Sequence, residues 1–384
     1  MNILGIGLDY LMLQKDKVRG DVRERQFDYA RRLASLTLIV YSPRSLNLRP
    51  QEWTENLKLY PTGSLNKNTF IFDAFRVATE ICRHRRFDAI TTEDPFTTGF
   101  IGYLLKKKYK IPLNVQVHID FCDNEYWMNL RKINRIFNIL GKFILRRADT
   151  IRVGTNYERN KLSRALNIPE TKISVIPVNS EVDRFKNVDG NIIRQRYLNG
   201  RFNKMLLFTG RLVSQKDIPT LLRAFQIVAL SRPKTLLLIV GKGREERCLK
   251  KIAVELGLKD NVIFTNSIEH KKIPEYLSAC DVYTISSIFE GTCIAMAEAM
   301  AAGKPVVATR FAGAQDLIVN GQNGFSVAQK DHETMAEKIL YLLDNPDAAK
   351  EMGQEGSRRV EENFSNNKNI GRVIEMWEKT AKCR

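Results

Sequence analysis

The sequence has few of the residues that build metal sites and disulfide frameworks. Its six cysteines are scattered without a CxxC pair, and its four histidines show no spacing typical of metal ligands. Zinc-binding and disulfide-stabilised proteins place their cysteines at short, regular intervals. The pattern therefore predicts reduced thiols in a cytoplasmic protein that binds no metal.

Long apolar runs are also missing. No segment reaches the roughly 20 apolar residues that a membrane-spanning helix needs. The N-terminus, MNILGIGLDYLML, carries an aspartate and no lysine or arginine, so it is interpreted as a first strand and not as a signal peptide. Positive charge, in contrast, is abundant. The chain has 61 Lys and Arg against 43 Asp and Glu, a net charge of +18, which favours contact with an anionic surface or a polyanion.

Apolar stretches and helical segments alternate along most of the chain. Continuous apolar strands joined by helices are typical of parallel, doubly wound sheets. A polar and irregular stretch at 179–203 interrupts the alternation, which starts again with an apolar strand at 204–209. We therefore predict an α/β protein with two Rossmann-like domains, residues 1–178 and 204–363, joined by a linker at 179–203.

The densest candidate binding chemistry follows the apolar strand that ends at Ser286. Glu290 and Gly291 form a turn, and a helix of small residues that carries Glu298 comes next. Free backbone N–H groups and the helix dipole attract an anion to such a helix start. Phosphate on these N–H groups, with hydroxyl-rich groups held by two carboxylates, is what a nucleotide-sugar requires.

A second candidate site follows the strand at 204–209. Gly210 lets the backbone approach a ligand, and the cations Arg211 and Lys216 follow within six residues. Arginine offers a planar fork to phosphate oxygens, and lysine offers a mobile point charge. The next strand ends in Gly241. Since the carboxyl ends of parallel strands meet at one sheet edge, these residues are predicted to share a binding cleft.

One helical segment, from Arg131 to Arg147, is strongly basic. It has six basic residues, no acid, and apolar residues at helical spacing. We expect the apolar stripe to belong to the core of the domain. The basic face is either simply solvated or faces the anionic headgroups of a membrane, and its candidate contacts are Arg131, Lys132, Arg135 and Lys142.

Three segments together resemble glycosyltransferase family 4. They are GRLVSQKDIPTLLRAF at 210–225, FEGTCIAMAEAMAAGKPVVAT at 289–309 and GAQDLIVNGQNGFSV at 313–327. The resemblance covers nearly the whole chain. It implies the GT-B fold, in which two Rossmann-like domains face each other across a cleft and a C-terminal helix, here at about 364–384, crosses back to the first domain. It also implies transfer with retention of the sugar configuration.

The resemblance implies a role for each candidate residue. Arg211 and Lys216 would bind the donor diphosphate and stabilise the charge on the leaving group. Glu290 would bond the sugar hydroxyls. His118, which periodicity alone makes an ordinary loop histidine, would lie by the reacting sugar. The other donor contacts would be Gly210, Gly241, Gly291, Thr292, Cys293 and Ile294, Glu298 on the ribose, and Gly20 in a loop facing the phosphates. The base would be bordered by Asn266, Ser267, Ile268 and His270.

The implied function is transfer of a sugar from a nucleoside-diphosphate sugar, UDP rather than GDP, without a metal or cofactor. The acceptor would be a glycan or a lipid-linked glycan of the cell envelope, held by the first domain at the inner face of the membrane or in the cytoplasm. A sugar-nucleotide epimerase or a phosphorylase with the same fold stays open, although no separate phosphate or cofactor site is evident.

Two readings from other classes also deserve comparison. A basic polyanion-binding protein without catalytic activity would account for the charge of +18. Stacking aromatics do not alternate with the basic residues, so nucleic acid is not the expected partner. An NAD-dependent oxidoreductase is disfavoured because Tyr10 stands where a third glycine of the dinucleotide motif belongs.

Overall fold

The computed structural model describes residues 1–14, 22–178, 182–364 and 366–383. The chain divides into two compact units. Unit 1 comprises Met1–Asn179 and Asn367–Arg384, and unit 2 comprises Ser180–Asn366. Each unit is built on its own sheet, in which parallel strands dominate. The predicted α/β class with two Rossmann-like units is confirmed.

Unit 1 contains an eight-stranded sheet in the order β3-β4-β2-β1-β5-β6-β7-β8, in which only the β3–β4 pair is antiparallel. Its strands are β1 (Asn2–Gly7), β2 (Ser35–Val40), β3 (Gln51–Thr54), β4 (Leu57–Pro61), β5 (Ala89–Thr92), β6 (Leu113–Gln116), β7 (Thr150–Val153) and β8 (Ile173–Val175). The helices between them are α1 (Val22–Ala30), α2 (Phe70–His84), α3 (Thr97–Tyr109), α4 (Glu125–Leu130), α5 (Lys132–Leu145) and α6 (Asn156–Leu166).

Unit 2 contains a fully parallel six-stranded sheet in the order β11-β10-β9-β12-β13-β14. Its strands are β9 (Lys204–Thr209), β10 (Thr235–Val240), β11 (Val262–Thr265), β12 (Val282–Ile285), β13 (Val306–Thr309) and β14 (Phe325–Val327). Its helices are α7 (Asn191–Leu198), α8 (Ile218–Ser231), α9 (Glu246–Glu255), α10 (Ile273–Ala279), α11 (Ile294–Ala301), α12 (Ala312–Leu317), α13 (His332–Asp344) and α14 (Pro346–Phe364).

The strand order places a topological switch point in each sheet. In unit 2 the chain leaves β9 toward β10 on one side, whereas β12 pairs with β9 on the other side. In unit 1 the switch lies between β1, β2 and β5. Loops diverge at such points, which leaves a crevice at the carboxyl ends of the strands. The candidate residues after β9 and β12 flank the crevice of unit 2.

The last helix, α15 (Asn366–Ala381), follows unit 2 in sequence but packs on the core of unit 1. Trp377 is buried in that core and meets Tyr29 edge-on at a ring separation of 5.2 Å. Farther along the helix, the hydroxyl of Thr380 lies 2.6 Å from that of Thr150 on β7. Through these contacts α15 packs on the core of unit 1 with residues that are distant from it in sequence.

The described part of the predicted linker, 182–203, belongs to unit 2 and contains α7. Arg194 on this helix binds Asp281, at 3.0 and 3.2 Å, and the carbonyl of Ala279 at 2.8 Å. Ile193 beside it is buried in the unit 2 core. The segment is therefore packed against unit 2, because Arg194 binds residues that directly precede β12 and Ile193 is buried in the core.

Candidate active site

Two glycines let the loops after β9 and β10 touch at the switch point of unit 2. Gly210 has φ +155° and Gly241 has φ +151°, values that L-residues rarely adopt. A Cβ on Gly241 would overlap the carbonyl oxygen of Gly210. The amide of Gly210 donates to the carbonyl of Val240 at 3.0 Å. Glycine is therefore required at both positions by geometry, whether or not a ligand is bound.

Lys216 and Glu290, which lie 74 positions apart in the sequence, form an ion pair across the switch point. The Nζ atom of Lys216 lies 2.7 Å from Oε1 of Glu290, and the two side chains are only 10% and 15% exposed. The same oxygen accepts hydrogen bonds from Ser287 at 3.1 Å and Gln215 at 3.2 Å. The loop after β9 and the turn after β12 are thus locked together by the predicted cation and acid.

The electrostatics keep Lys216 charged. Burial acts to lower the pKa of Lys216, but the neighbouring acidic groups of Cys293 and Glu290 outweigh burial and raise it above its ordinary value. Burial raises the pKa of the Cys293 thiol to about 12, so this thiol is protonated at neutral pH. The ion-pair partner of Lys216 is therefore Glu290 and not Cys293.

Helix α11 begins directly after the Glu290 turn. Its N-cap residue is Cys293, whose side chain makes no capping hydrogen bond. A Cβ on Gly313, in α12, would lie 3.1 Å from the amide nitrogen of Cys293, so α12 packs closely against the turn. Gly291 is buried, while Thr292 and Ile294 are half-buried. The predicted amide set is a helix start without side-chain capping, as anion binding requires.

Glu298, on α11, and His270 form a hydrogen-bonded pair. The Oε1 atom of Glu298, on a side chain that is 6% exposed, lies 2.7 Å from Nε2 of the half-exposed His270. The structure thus joins the residue predicted for the ribose to one predicted for the base. The other predicted base contacts follow β11: Asn266 and Ser267 are exposed, whereas Ile268 packs against the unit 2 core.

Arg211 follows Gly210 on the surface of unit 2 and is exposed. Its guanidinium has no hydrogen-bond or ion-pair partner in the part of the chain that the structure describes. The positive charge of Arg211 acts to lower the pKa of Lys216, so the two cations lie near each other. Gly20, the remaining predicted donor contact, lies outside the described residues.

His118 lies in unit 1, beside a cavity of about 380 Å³ at the switch point of that sheet. The residue is exposed by its surface area. The protein around the ring nevertheless displaces water from it and lowers the pKa of His118, and the charges of Arg152 and Arg25 lower it further. The ring is therefore neutral at pH 7 and carries one N–H donor and one acceptor nitrogen. The strand end after β5 contributes Glu93 to the same cavity, and burial raises the pKa of this carboxyl to about 7.

Arg152 is a cavity residue that the sequence reasoning missed. It lies within β7 between buried neighbours and is itself 4% exposed. A charged residue inside an otherwise uncharged buried strand was the available signal, because such a charge needs a specific reason.

The helix predicted to have a basic face is α5, and its apolar stripe divides into a buried and an exposed part. Ile144 is buried, but Ile133, Ile136 and Ile139 are 41%, 60% and 69% exposed. The expectation that the stripe belongs to the core is therefore wrong for Ile133 and Ile136. The reason is geometric, since one side of α5 packs against α3 and α4 and the opposite side is left exposed.

The four basic residues of this face are in different situations. Arg131 and Lys132 are exposed at the start of α5. Arg135 donates to the side chain of Asn129 at 2.9 Å. Lys142 forms an ion pair with Asp123 at 2.6 Å, so its charge is locally balanced. Of the helices within the described ranges, none has both the length and the apolar character needed to cross a bilayer.

The described residues contain no group of three or more His, Cys, Asp or Glu side chains arranged to hold a metal ion. The chemistry of the unit 2 edge consists instead of two cations, two carboxylates and a helix start.

Comparison with known proteins gives a consistent picture. Residues 26–178 match the model of Glycosyltransferase Family 4, and residues 191–359 match that of Glycosyl transferases group 1. An uncharacterized glycosyltransferase of Methanocaldococcus jannaschii is 24% identical over 301 residues, which are 76% of this chain and 75% of the relative.

Solved structures share the fold. Sucrose-phosphate synthase from Thermosynechococcus elongatus has a TM-score of 0.84 at 20% identity, with 100% of both chains covered. The Anabaena protein HepE, in complex with UDP and glucose, has a TM-score of 0.76 at 18% identity, with 98% of both chains covered. The expected GT-B fold is confirmed by this likeness.

Proposed function

The chain belongs to the group 1 glycosyltransferases of family 4, and we propose that it transfers a hexose from a nucleoside-diphosphate sugar with retention of configuration. The observation that carries this proposal is the pairing of Lys216 with Glu290 beside the uncapped start of α11. A diphosphate needs cations and N–H donors, and a sugar needs a carboxylate for its hydroxyls. The edge of unit 2 provides all three.

In the proposed reaction, Arg211 closes onto the diphosphate because its guanidinium is exposed and has no partner in the described structure. Lys216 is already held in position by Glu290 and adds a second positive charge. As the bond to the sugar breaks, negative charge grows on the leaving diphosphate, and fixed cations stabilise it without further reorganisation. These two side chains take the place of a metal ion in this scheme.

Glu290 has one carboxylate oxygen that accepts from three protein donors and a second that can accept from the sugar hydroxyls. The buried Glu298 is proposed to bind the ribose, with His270 fixing its orientation. The neutral ring of His118 is proposed to donate to the reacting sugar. Retention then proceeds by attack of the acceptor hydroxyl on the face that the diphosphate leaves, without an enzyme nucleophile, and the hydroxyl proton passes to an oxygen of the leaving diphosphate.

UDP is the proposed nucleotide, supported by the UDP and glucose named for the HepE complex. The test is release of nucleoside diphosphate from UDP-glucose, UDP-galactose and GDP-mannose, with an extract of cell-envelope glycans and glycolipids as acceptor. We expect acceptor-dependent release from one donor. Release that requires inorganic phosphate would favour the phosphorylase, and interconversion of the sugars without release would favour the epimerase. Absence of all three would contradict an enzymatic role.

A second proposal concerns the membrane. The exposed isoleucines Ile133, Ile136 and Ile139 adjoin the exposed cations Arg131 and Lys132 on α5. Apolar side chains beside basic ones are the pattern of helices that lie in the surface of an anionic bilayer. We propose that α5 holds unit 1 against the inner face of the membrane, where a lipid-linked acceptor would be found.

Replacing Ile136 and Ile139 with Ser should weaken binding to vesicles of phosphatidylcholine and phosphatidylglycerol by at least about tenfold. Each fully buried isoleucine contributes roughly 1.5–3 kcal/mol, so two of them suffice for this loss even when insertion is partial. Vesicle sedimentation measures the binding. The matched control replaces Phe72 and Leu230, which are 76% and 79% exposed elsewhere on the chain. Equal binding by both double variants would contradict the membrane role of α5.

A further inference from the structure

The cavity of unit 1 contains a buried positive charge that the proposed donor chemistry does not use. Arg152 on β7 lines this cavity. Its guanidinium donates to the side-chain oxygen of Gln116 at 3.0 Å and to the carbonyls of Ile176 and Pro177 at 2.9 and 2.8 Å. All three acceptors are uncharged. A guanidinium has five N–H groups, so these three bonds leave two, and the hydroxyl of Tyr29 lies close enough to accept one of them.

No carboxylate within the described ranges forms an ion pair with Arg152. Burial lowers the pKa of Arg152, the hydroxyl of Tyr29 opposes this effect, and the like charges of Arg25 and Arg372 add to the lowering. A buried charge without a counter-ion is costly, and such groups are normally paired. Lys216 in unit 2 follows that rule through Glu290. The exception at Arg152 therefore calls for an anion that the described residues do not supply.

Two more buried donors lie around the same cavity. The indole N–H of Trp377 is buried and has no hydrogen-bond partner in the described structure, and the buried hydroxyl of Tyr29, whose oxygen can accept from Arg152, has no acceptor for its own proton there. Both residues line the cavity, and the hydroxyl of Tyr29 is close enough to influence the pKa of Arg152. An unsatisfied buried donor destabilises the fold, so two of them beside an arginine without a counter-ion indicate a ligand site.

The side of the cavity next to β5 carries acidic side chains. Glu93 and Asp94 line it, together with Thr91 and Thr92. The Oδ2 atom of Asp94 is buried and has no partner among the described residues. Carboxylates and hydroxyls suit the hydroxyl groups of a sugar or polyol. The cavity volume of about 380 Å³ is that of a pocket for a small molecule.

We infer that this cavity binds the acceptor through an anionic group, a phosphate or carboxylate on a sugar or polyol. Arg152 holds the anion, and Glu93 and Asp94 hold the hydroxyls. The inference rests on the proposed glycosyl transfer, and it narrows the acceptor from any envelope glycan to one with a negative charge at its reacting end.

The test compares charged and uncharged probes of the same skeleton: glucose 6-phosphate and glucuronate against glucose, and glycerol 1-phosphate against glycerol, with inorganic phosphate alone. All three tryptophans of the chain, Trp53, Trp127 and Trp377, lie in unit 1. The indole N–H resonances in an NMR titration therefore report on unit 1, and excess UDP occupies the donor edge of unit 2. A Trp377→Phe spectrum assigns the resonance at the cavity.

We expect the charged probes to shift the Trp377 resonance and to bind at least about tenfold more tightly than their uncharged partners, and sugar phosphate to bind more tightly than inorganic phosphate. Arg152→Met should reduce the ratio of affinities for charged and uncharged probes at least about tenfold, and Tyr29→Phe should reduce this ratio about threefold. Arg159→Met, a surface change on α6, should leave it intact. Tighter binding of inorganic phosphate than of every sugar probe would overturn the assignment to an acceptor.

Equal binding of charged and uncharged probes to the wild-type protein would also overturn it. If Arg152→Met does not fold, Tyr29→Phe decides, because it removes only a hydroxyl; an unchanged charge preference would then contradict the inference. Failure here leaves the donor site untouched, since nucleoside-diphosphate release is measured separately and depends on residues of unit 2.

Discussion

Replacing Arg211 with Ala should lower kcat/KM by at least about 100-fold and leave the melting temperature within about 2 °C of the wild type. Removal of one preorganised donor to a developing negative charge typically costs a factor of 100 to 1000. Stability should hardly change because the side chain is exposed and has no partner in the described structure. Substitutions of this kind usually alter stability by less than about 0.5 kcal/mol.

The matched control is Arg247→Ala. Arg247 is likewise exposed and carries the same charge, but it lies on α9 and not in the loop that follows β9. We expect its activity to be within about twofold of the wild type. Arg211→Lys separates charge from shape, since lysine keeps the cation but loses the planar fork. Wild-type turnover in Arg211→Ala would remove this residue from the site.

The second large effect concerns the ion pair of Lys216 and Glu290. Lys216→Met and Glu290→Gln should each lower kcat at least about 100-fold, because one removes a cation at the leaving group and the other a carboxylate at the sugar. Each should also destabilise the fold by roughly 1–3 kcal/mol, since a single change leaves the partner buried and unpaired. Both side chains are at most 15% exposed, so solvent screens the pair only weakly.

The double variant distinguishes the two effects. Replacement of both partners removes the uncompensated charge, so the double variant should be more stable than the sum of the single changes predicts. Its activity should stay as low as that of either single variant. The surface pair Lys250–Glu246, at 2.7 Å, provides the control, and breaking it should cost no more than about 0.5 kcal/mol. Additive stability changes together with unaltered kcat would show that the pair is neither coupled nor part of the reaction.

The sequence was most informative where the local backbone conformation or burial of a position favours one type of residue. Gly210 and Gly241 were recognisable because a glycine at a strand end allows the positive φ that the loops adopt. The alternation of apolar strands and helices predicted both sheets, since parallel strands buried on two faces must be continuously apolar. The helix after Glu290 was predictable from its small residues and from the glycine that ends it.

Other features could not be predicted because they depend on contacts between distant residues. The sequence indicated Lys216 and Glu290 as separate candidates, and only the structure shows that their side chains lie 2.7 Å apart. The exposure of Ile136 depends on which side of α5 meets its neighbours, and hydrophobic spacing does not record this. Arg152 was overlooked because a strand pattern shows that a position is buried, not that its charge lacks a counter-ion.

The most direct test of the central claim is a thermal-shift panel with UDP, GDP, ADP, CMP and NAD on the wild-type protein and on Arg211→Ala. A ligand at 100 times its Kd stabilises the folded state by about 2.7 kcal/mol, which raises the melting temperature by several degrees. We predict that UDP raises the melting temperature of the wild type and that Arg211→Ala loses most of this shift. No shift with any nucleoside diphosphate, or a shift with NAD alone, would contradict a nucleotide-sugar site at the edge of unit 2.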